Sequence, residues 1–296
     1  PRYQALPGNA DPEAPPRIPP PQTPPKITGI GISWPVSITS GWGIYGMNLT
    51  LQLLQNPAWE VALLTPPSIS YELINPLHKS LLLPVVEKQQ KFQELVAANY
   101  DKQIACNFPV LYALGNNLEA SGIENQITSA CQIGIIFFED TRITTEALEK
   151  AKKYSAIVAG SNWNADVLKS CGLTNVRMVN QGIDPAIFHP APKSNLLGDR
   201  FVIFSGGKLE YRKGQDIVVA AFKRFRAKHP DALLLTAWHN FWPQYMLGIE
   251  QTGNVAGLPN INRDGSLGIS AWLIANGLPV DSFIDIGLIP NHLAGQ

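Results

Sequence analysis

Apolar runs of strand length alternate with amphipathic stretches along most of the chain. Residues 27–34 form a short apolar run, residues 45–54 have helical periodicity, and residues 61–64 are again strand-like. Residues 77–98 are largely helical in pattern, 104–114 hold at least one strand, and 133–138 form a continuous apolar run of the buried-strand type. Over 144–154, Ala147, Leu148, Ala151 and Tyr154 share one helical face, with Thr144 as a candidate N-cap. A strand at 156–159 follows, then a helix capped by Ser161 and ended by Gly172, then a strand at 176–179. This alternation predicts a parallel α/β sheet.

Residues 184–194, rich in proline and polar side chains, break the rhythm, which then restarts. A strand is expected at 201–205. A helix at 215–228 carries Val218, Ala221, Phe222 and Phe225 on one face. A strand at 232–236, an irregular tryptophan-rich stretch, a helix near 269–275 and a strand at 283–286 complete the pattern. The expected fold class is therefore α/β, with Rossmann-like domains at 27–190 and 191–296. The second has about three strands, against the five or six of a typical sheet, so a further C-terminal part is expected. Before both lies a proline-crowded leader at 1–26, which includes Pro15, Pro16, Pro19, Pro20, Pro21, Pro24 and Pro25. Proline has no N–H to donate, so this segment is expected to be a disordered linker, with a proline-motif ligand as the alternative. Additional domains upstream of it are allowed for.

Composition narrows the function classes. Charged residues make up 16% and the formal net charge is zero, so no nucleic-acid or acidic-membrane partner is expected. No apolar run approaches the roughly 20 residues of a membrane span. The three cysteines, Cys106, Cys131 and Cys171, are widely spaced among apolar neighbours. They read as buried free thiols of a cytoplasmic protein, and no CxxC pattern points to a metal.

Two loops carry candidate chemistry. Gly41-Trp42-Gly43-Ile44-Tyr45-Gly46 follows a strand and opens a helix, as a G-x-G-x-x-G phosphate loop does. A structural glycine turn is the alternative. The strand at 61–64 ends without the carboxylate that a nicotinamide dinucleotide wants, which disfavours an oxidoreductase. In Ser205-Gly206-Gly207-Lys208-Leu209-Glu210-Tyr211-Arg212-Lys213-Gly214, Lys208 and Lys213 flank one strand-to-helix loop. Cations beside a helix N-terminus suit a diphosphate. The Walker pattern G-x-x-x-x-G-K-[ST] is absent. A solvated basic loop is the bland alternative.

The segment 205–225 resembles the donor-phosphate loop of retaining family-four glycosyltransferases, which have two Rossmann-like domains in the GT-B arrangement. Val158-Ala159-Gly160-Ser161-Asn162-Trp163-Asn164 resembles that family's strand-to-serine turn. The stretch from Asn180-Gln181-Gly182-Ile183-Asp184-Pro185 to Phe188-His189-Pro190 resembles its interdomain crossover. Elementary turn chemistry gives the same crossover a positive φ at Gly182 and a turn initiated by Asp184-Pro185.

The resemblance implies transfer of a sugar from a nucleotide-diphosphate sugar to an acceptor, with retention, no bound metal and no cofactor. Gly43, Gly207, Lys208 and Lys213 would hold the donor diphosphate. Trp42, Ser161, Asn162, Gln181, Gly182 and His239 are further cleft candidates. Glu139 stands where many members have a histidine, and with Asp140 it is the candidate catalytic pair, with helix N-terminal acids or ion-pair partners as the alternative. The family's Glu-x7-Glu pair is absent from the sequence. A non-catalytic nucleotide- or sugar-binding module of the same fold is the alternative.

Overall fold

The computed structural model describes residues 28–69, 74–120, 126–138, 140–192 and 195–295. The expectations for the leader 1–26 and for Glu139 fall outside these residues.

The first half of the chain builds a six-stranded parallel sheet in the order β2-β1-β4-β6-β7-β8. Its strands are β1 (Thr28–Ile32), β2 (Trp59–Leu63), β4 (Val110–Leu114), β6 (Gln132–Ile136), β7 (Ala156–Ala159) and β8 (Val176–Met178). Two short strands, β3 (Ile104–Cys106) and β5 (Ile127–Ser129), pair separately. The single run at 104–114 is thus two strands in different sheets, and β5 has no counterpart in the sequence reading.

Alternating side chains send two sets of residues to opposite faces of this sheet. Ile30, Ile32, Val61, Leu63, Leu111 and Ile135 pack with Met47 and Leu51 of α1 (Gly41–Leu54) and with Leu82 and Val85 of α2 (Pro76–Ala98). Val110, Tyr112, Leu114, Ile136 and Ile157 pack with Ala147 and Ala151 of α3 (Thr145–Ala151) and with Ala165 and Leu168 of α4 (Asn162–Ser170). Each large buried aliphatic side chain contributes about 1.5–3 kcal/mol of transfer free energy. The expected caps hold: Thr144 accepts from the Ala147 N–H and Ser161 from the Asn164 N–H.

The second half carries a three-stranded parallel sheet in the order β11-β10-β9. Its strands are β9 (Val202–Lys208), β10 (Leu233–His239) and β11 (Phe283–Asp285). Two helices, α5 (Gln215–Arg226) and α6 (Ile269–Ala275), supply Val219, Phe222, Trp272 and Leu273 to one face, against Leu234, Trp238 and Phe283. On the other face Phe204 is 55% exposed and Ile284 38% exposed. Among the described residues no strand pairs with the outer edge of β9.

Connections in α/β units usually run to a handful of residues. The one from β10 to α6 takes residues 240–268, folds into short 3-10 turns, and buries Met246, Ile249 and Val255. It is tied to the start of α5 through the buried Asp216, which accepts from Thr252 Oγ1 at 2.6 Å and Asn254 Nδ2 at 3.1 Å.

Three expectations need correction. The glycine loop at 41–46 is the first turns of α1 itself, because Ser40 caps the helix four residues earlier than the apolar periodicity begins. Gly182 does not take a positive φ, although Asp184 does start the expected turn, accepting from the Ala186 N–H at 2.9 Å. The three cysteines are free but half-buried rather than buried.

Candidate functional site

Ligands of parallel α/β sheets gather beyond the carboxyl ends of the strands, and each sheet presents such an end. In the first, the chain leaving β1 runs over Ser37 to Ser40, whose hydroxyl accepts the Gly43 N–H at 3.0 Å. Gly43 also has no space beside it. A methyl group built on its Cα would fall on Ser37 Oγ, 2.6 Å from Ser37 Cβ and 2.8 Å from the Ser37 backbone nitrogen. Gly43 is therefore where the helix and the preceding loop touch. The amides of Gly41 and Trp42 occupy the open end of the helix.

Around this end the aromatic side chains cluster. The Trp42 ring lies 4.9 Å from Phe137 and 5.7 Å from Trp34, whose Nε1 donates to the Trp42 carbonyl at 3.0 Å. Ser161 is engaged in capping α4, and Asn162 is exposed at that helix's first position. The Gln181 N–H donates to the Gly160 carbonyl at 3.4 Å, which brings the exposed Gln181-Gly182 crossover beside β7.

Asp140 accepts from the Arg142 guanidinium, with the closest approach 2.6 Å, and from the Arg142 backbone N–H at 3.0 Å. These bonds hold its carboxyl down to about 2. The group is thus ionised under ordinary conditions, fit for electrostatic work and unfit to donate a proton.

In the second sheet β9 does not stop at its glycines. It pairs with β10 through Gly206 and Gly207 as far as Lys208, which lies opposite His239. Both strands run three residues past the expected ends, so Trp238 and His239 belong to β10 rather than to the loop after it. Trp238 is buried and donates through Nε1 to Ser205 Oγ at 3.1 Å, while His239 is half-buried with its ring 4.4 Å from Phe241.

The loop from β9 to α5 then assembles charge. Glu210 sits between Lys208 Nζ at 2.9 Å and Arg212 Nε at 2.8 Å. Burial pushes its carboxyl upward, but the two cations bring it below the usual carboxylate range. Lys213 is exposed at the end of a 3-10 turn, and Gly214 caps α5 in the left-handed region at φ 71° with no side-chain bond. Gly207 also has a φ, 125°, that favours glycine.

Gln215, buried at the first helical position, clamps the loop. Its amide donates to the Lys208 carbonyl at 2.9 Å and accepts the Glu210 N–H at 3.3 Å. Lys208 and Arg212 thus pair with one carboxylate, and Lys213 stands exposed beside them at the start of a 12-residue helix, an excess of cations that suits a multiply charged anion.

Beside this loop, at the ends of β10 and β11, lies a pocket of about 630 Å³ whose walls include His239, Phe241, Asp264, Leu267 and Asp285. Asp285 accepts from the buried Thr236 Oγ1 at 2.7 Å, and burial raises its carboxyl above the ordinary value. The sequence assigns no role to Asp285, Gln215 or Glu210, and for the tryptophan-rich stretch 238–245 it offers stacking on a sugar or base only as the alternative to packing. A carboxylate closing an apolar strand, as in Phe283-Ile284-Asp285, is the one local signal that pointed to any of them.

No family model matches the chain, and no curated protein matches it. An α,α-trehalose-phosphate synthase (UDP-forming) from Burkholderia vietnamiensis superimposes with a TM-score of 0.51 at 10% identity, over 90% of this chain and 73% of that one. The fold is of the GT-B kind. An S. aureus MnaA–UDP co-structure gives a TM-score of 0.48 at 12% identity, over 90% of this chain and 70% of that one. At these identities the likeness is one of architecture. Among the described residues no helix is long and apolar enough to cross a membrane.

Proposed function

We propose that the chain serves glycosyl transfer from a nucleotide-diphosphate sugar, with the diphosphate received by the loop between β9 and α5. The observation that carries this reading is the grouping of Lys208, Arg212 and Lys213 in the one loop that leads from the carboxyl end of a parallel strand into α5. A leaving diphosphate develops charge there, and fixed cations with a helix N-terminus stabilise it. The similarity of fold to an enzyme that forms UDP is in keeping with the assignment. Retention and a mechanism without bound metal enter the proposal through the resemblance to family-four glycosyltransferases. The aromatic end of the first sheet, around Trp42 and Phe137, would receive the acceptor.

Lys213→Ala tests the reading. A charge-assisted contact to phosphate is worth about 1.5–3 kcal/mol, roughly ten- to a hundredfold in affinity. Calorimetric titration with UDP, GDP and ADP and with the matching nucleosides should show that loss for the diphosphate alone. Equal losses for nucleotide and nucleoside would mean that the lysine supports the fold instead. Unchanged binding of every diphosphate would remove the loop from the donor site.

A further inference from the structure

The ammonium group of Lys208 is held by more than its carboxylate. It lies 4.7 Å from the ring centroid of Tyr245 and 5.3 Å from that of Trp242, while Glu210 Oε2 is 2.9 Å away. Both rings belong to the connection between β10 and α6, more than thirty residues further along the chain than the lysine. That connection is anchored to α5 by Asp216, the helix whose own first residue, Gln215, grips the Lys208 carbonyl. The rings are about half exposed, 47% for Trp242 and 50% for Tyr245, so the packing of a core does not account for them.

Two kinds of partner act differently on a cation that has to meet an anion. A carboxylate neutralises it and must be displaced or shared when a diphosphate arrives. An aromatic face attracts the ammonium through the ring quadrupole and adds no net charge. Rings can therefore fix the position of Lys208 without repelling a ligand of negative charge. A flexible lysine has rotamer entropy to lose on binding. Holding the ammonium in place beforehand removes part of that cost.

We propose that Trp242 and Tyr245 are positioning residues that hold Lys208 at the end of β9 ready for a diphosphate, with Glu210 as the partner that the ligand replaces. The connection 240–268 is then part of the donor site, contributing aromatic faces that orient a cation. This inference rests on the proposed role of the β9–α5 loop.

The test uses the full chain and calorimetric titration with UDP, GDP and ADP, their nucleosides, and inorganic pyrophosphate. Tyr245→Leu and Trp242→Leu should each weaken diphosphate and pyrophosphate binding about three- to tenfold and leave nucleoside binding unchanged. Tyr245→Phe keeps a comparable ring and should bind as the wild type does, and Trp242→Phe, with a weaker ring face, should fall between the wild type and Trp242→Leu. Tyr245 replaced by a phenylalanine with increasing ring fluorination should lose affinity in steps. Fluorine withdraws the charge of the ring face while nearly keeping its shape, and a ring that merely packed would show no such series. The fluorinated series also decides the matter if a leucine variant melts early.

In the background of Lys208→Met the ring substitutions should have no further effect, because the rings act through that ammonium. Additive losses there would overturn the proposal, as would leucine variants that bind like the wild type or that lose nucleoside and nucleotide equally. If Lys208→Met and Lys213→Ala themselves bind every diphosphate normally, the donor-site reading fails first. If they lose binding while the ring variants do not, only the positioning role fails.

Discussion

Gly43→Ala measures what the glycines after β1 are for. The added methyl group would fall on Ser37 Oγ, with Ser37 Cβ at 2.6 Å and the Ser37 backbone nitrogen at 2.8 Å. Rotating the serine hydroxyl relieves only the first contact; the other two require the loop to move. Overpacking of this kind costs about 1–3 kcal/mol. Alanine in place of glycine returns up to about 1 kcal/mol of helix propensity. A net loss of about 1–2 kcal/mol should remain, which corresponds to a fall in Tm of roughly 2–8 °C for a domain of this size. Gly41→Ala is the control, since a methyl group there meets nothing within 4 Å; it should melt at or slightly above the wild-type temperature. Gly43→Ala combined with Ser37→Gly removes the first two contacts and should recover part of the loss. Differential scanning calorimetry on the four proteins reads the result. A Gly43→Ala protein that melts with the wild type would refute the packing argument. A Gly41→Ala protein that melts normally but loses nucleotide binding would show a ligand approaching that open end of the helix.

Two further outcomes follow from the carboxylates of Asp216, which is buried, and Asp285, which is half-buried. Asp216→Asn should weaken the fold at neutral pH by about 1–3 kcal/mol through its bonds to Thr252 and Asn254. Although burial works against its ionised form, hydrogen bonding leaves the native Asp216 carboxyl below its usual value. The wild type therefore holds this stability above about pH 4 and loses it as pH falls through the native value, whereas Asp216→Asn should show a shallower acid limb in urea titrations. Asp285 has the opposite sign: burial raises its carboxyl, so ionisation opposes folding above its native value. Asp285→Asn should raise Tm at pH 7 and show no advantage below about pH 4; a lower Tm at pH 7 would contradict that sign.

Much of the fold was legible because its signals are local. The apolar run at 133–138, the hydroxyls of Thr144 and Ser161, and Gly172 at φ 89° each act within a turn of the chain. What was not legible depends on partners distant in sequence. Gly206 and Gly207 read as a loop because glycine weakens a strand, yet the ladder to β10 carries the strand through them to Lys208. The stretch after 236 read as irregular, but β10 continues through it, and alternation with Leu234 and Thr236 turns Trp238 into the core. The three-residue strand β5 has too few side chains to produce a period of its own and exists through its pairing with β3. In the candidate site the charges at 208–213 could be read directly. Their support could not, because Gln215 acts through side-chain bonds to the backbone and the rings come from another connection.

Among the described residues no strand covers the outer side of β9, which has a consequence for how these 296 residues by themselves behave in solution. Its outer row of peptide groups is bordered by Phe201, Val202 and Phe204, each more than a third exposed, and neither proline nor an inward-pointing charge blocks that row. Such an edge accepts any strand that reaches it, including the same strand of a neighbouring molecule. Purified at high concentration, the chain should therefore grow into larger species through β9 while both of its sheets stay folded. A lysine at Phe204 would keep it dispersed without touching the charged loop at the strand's other end.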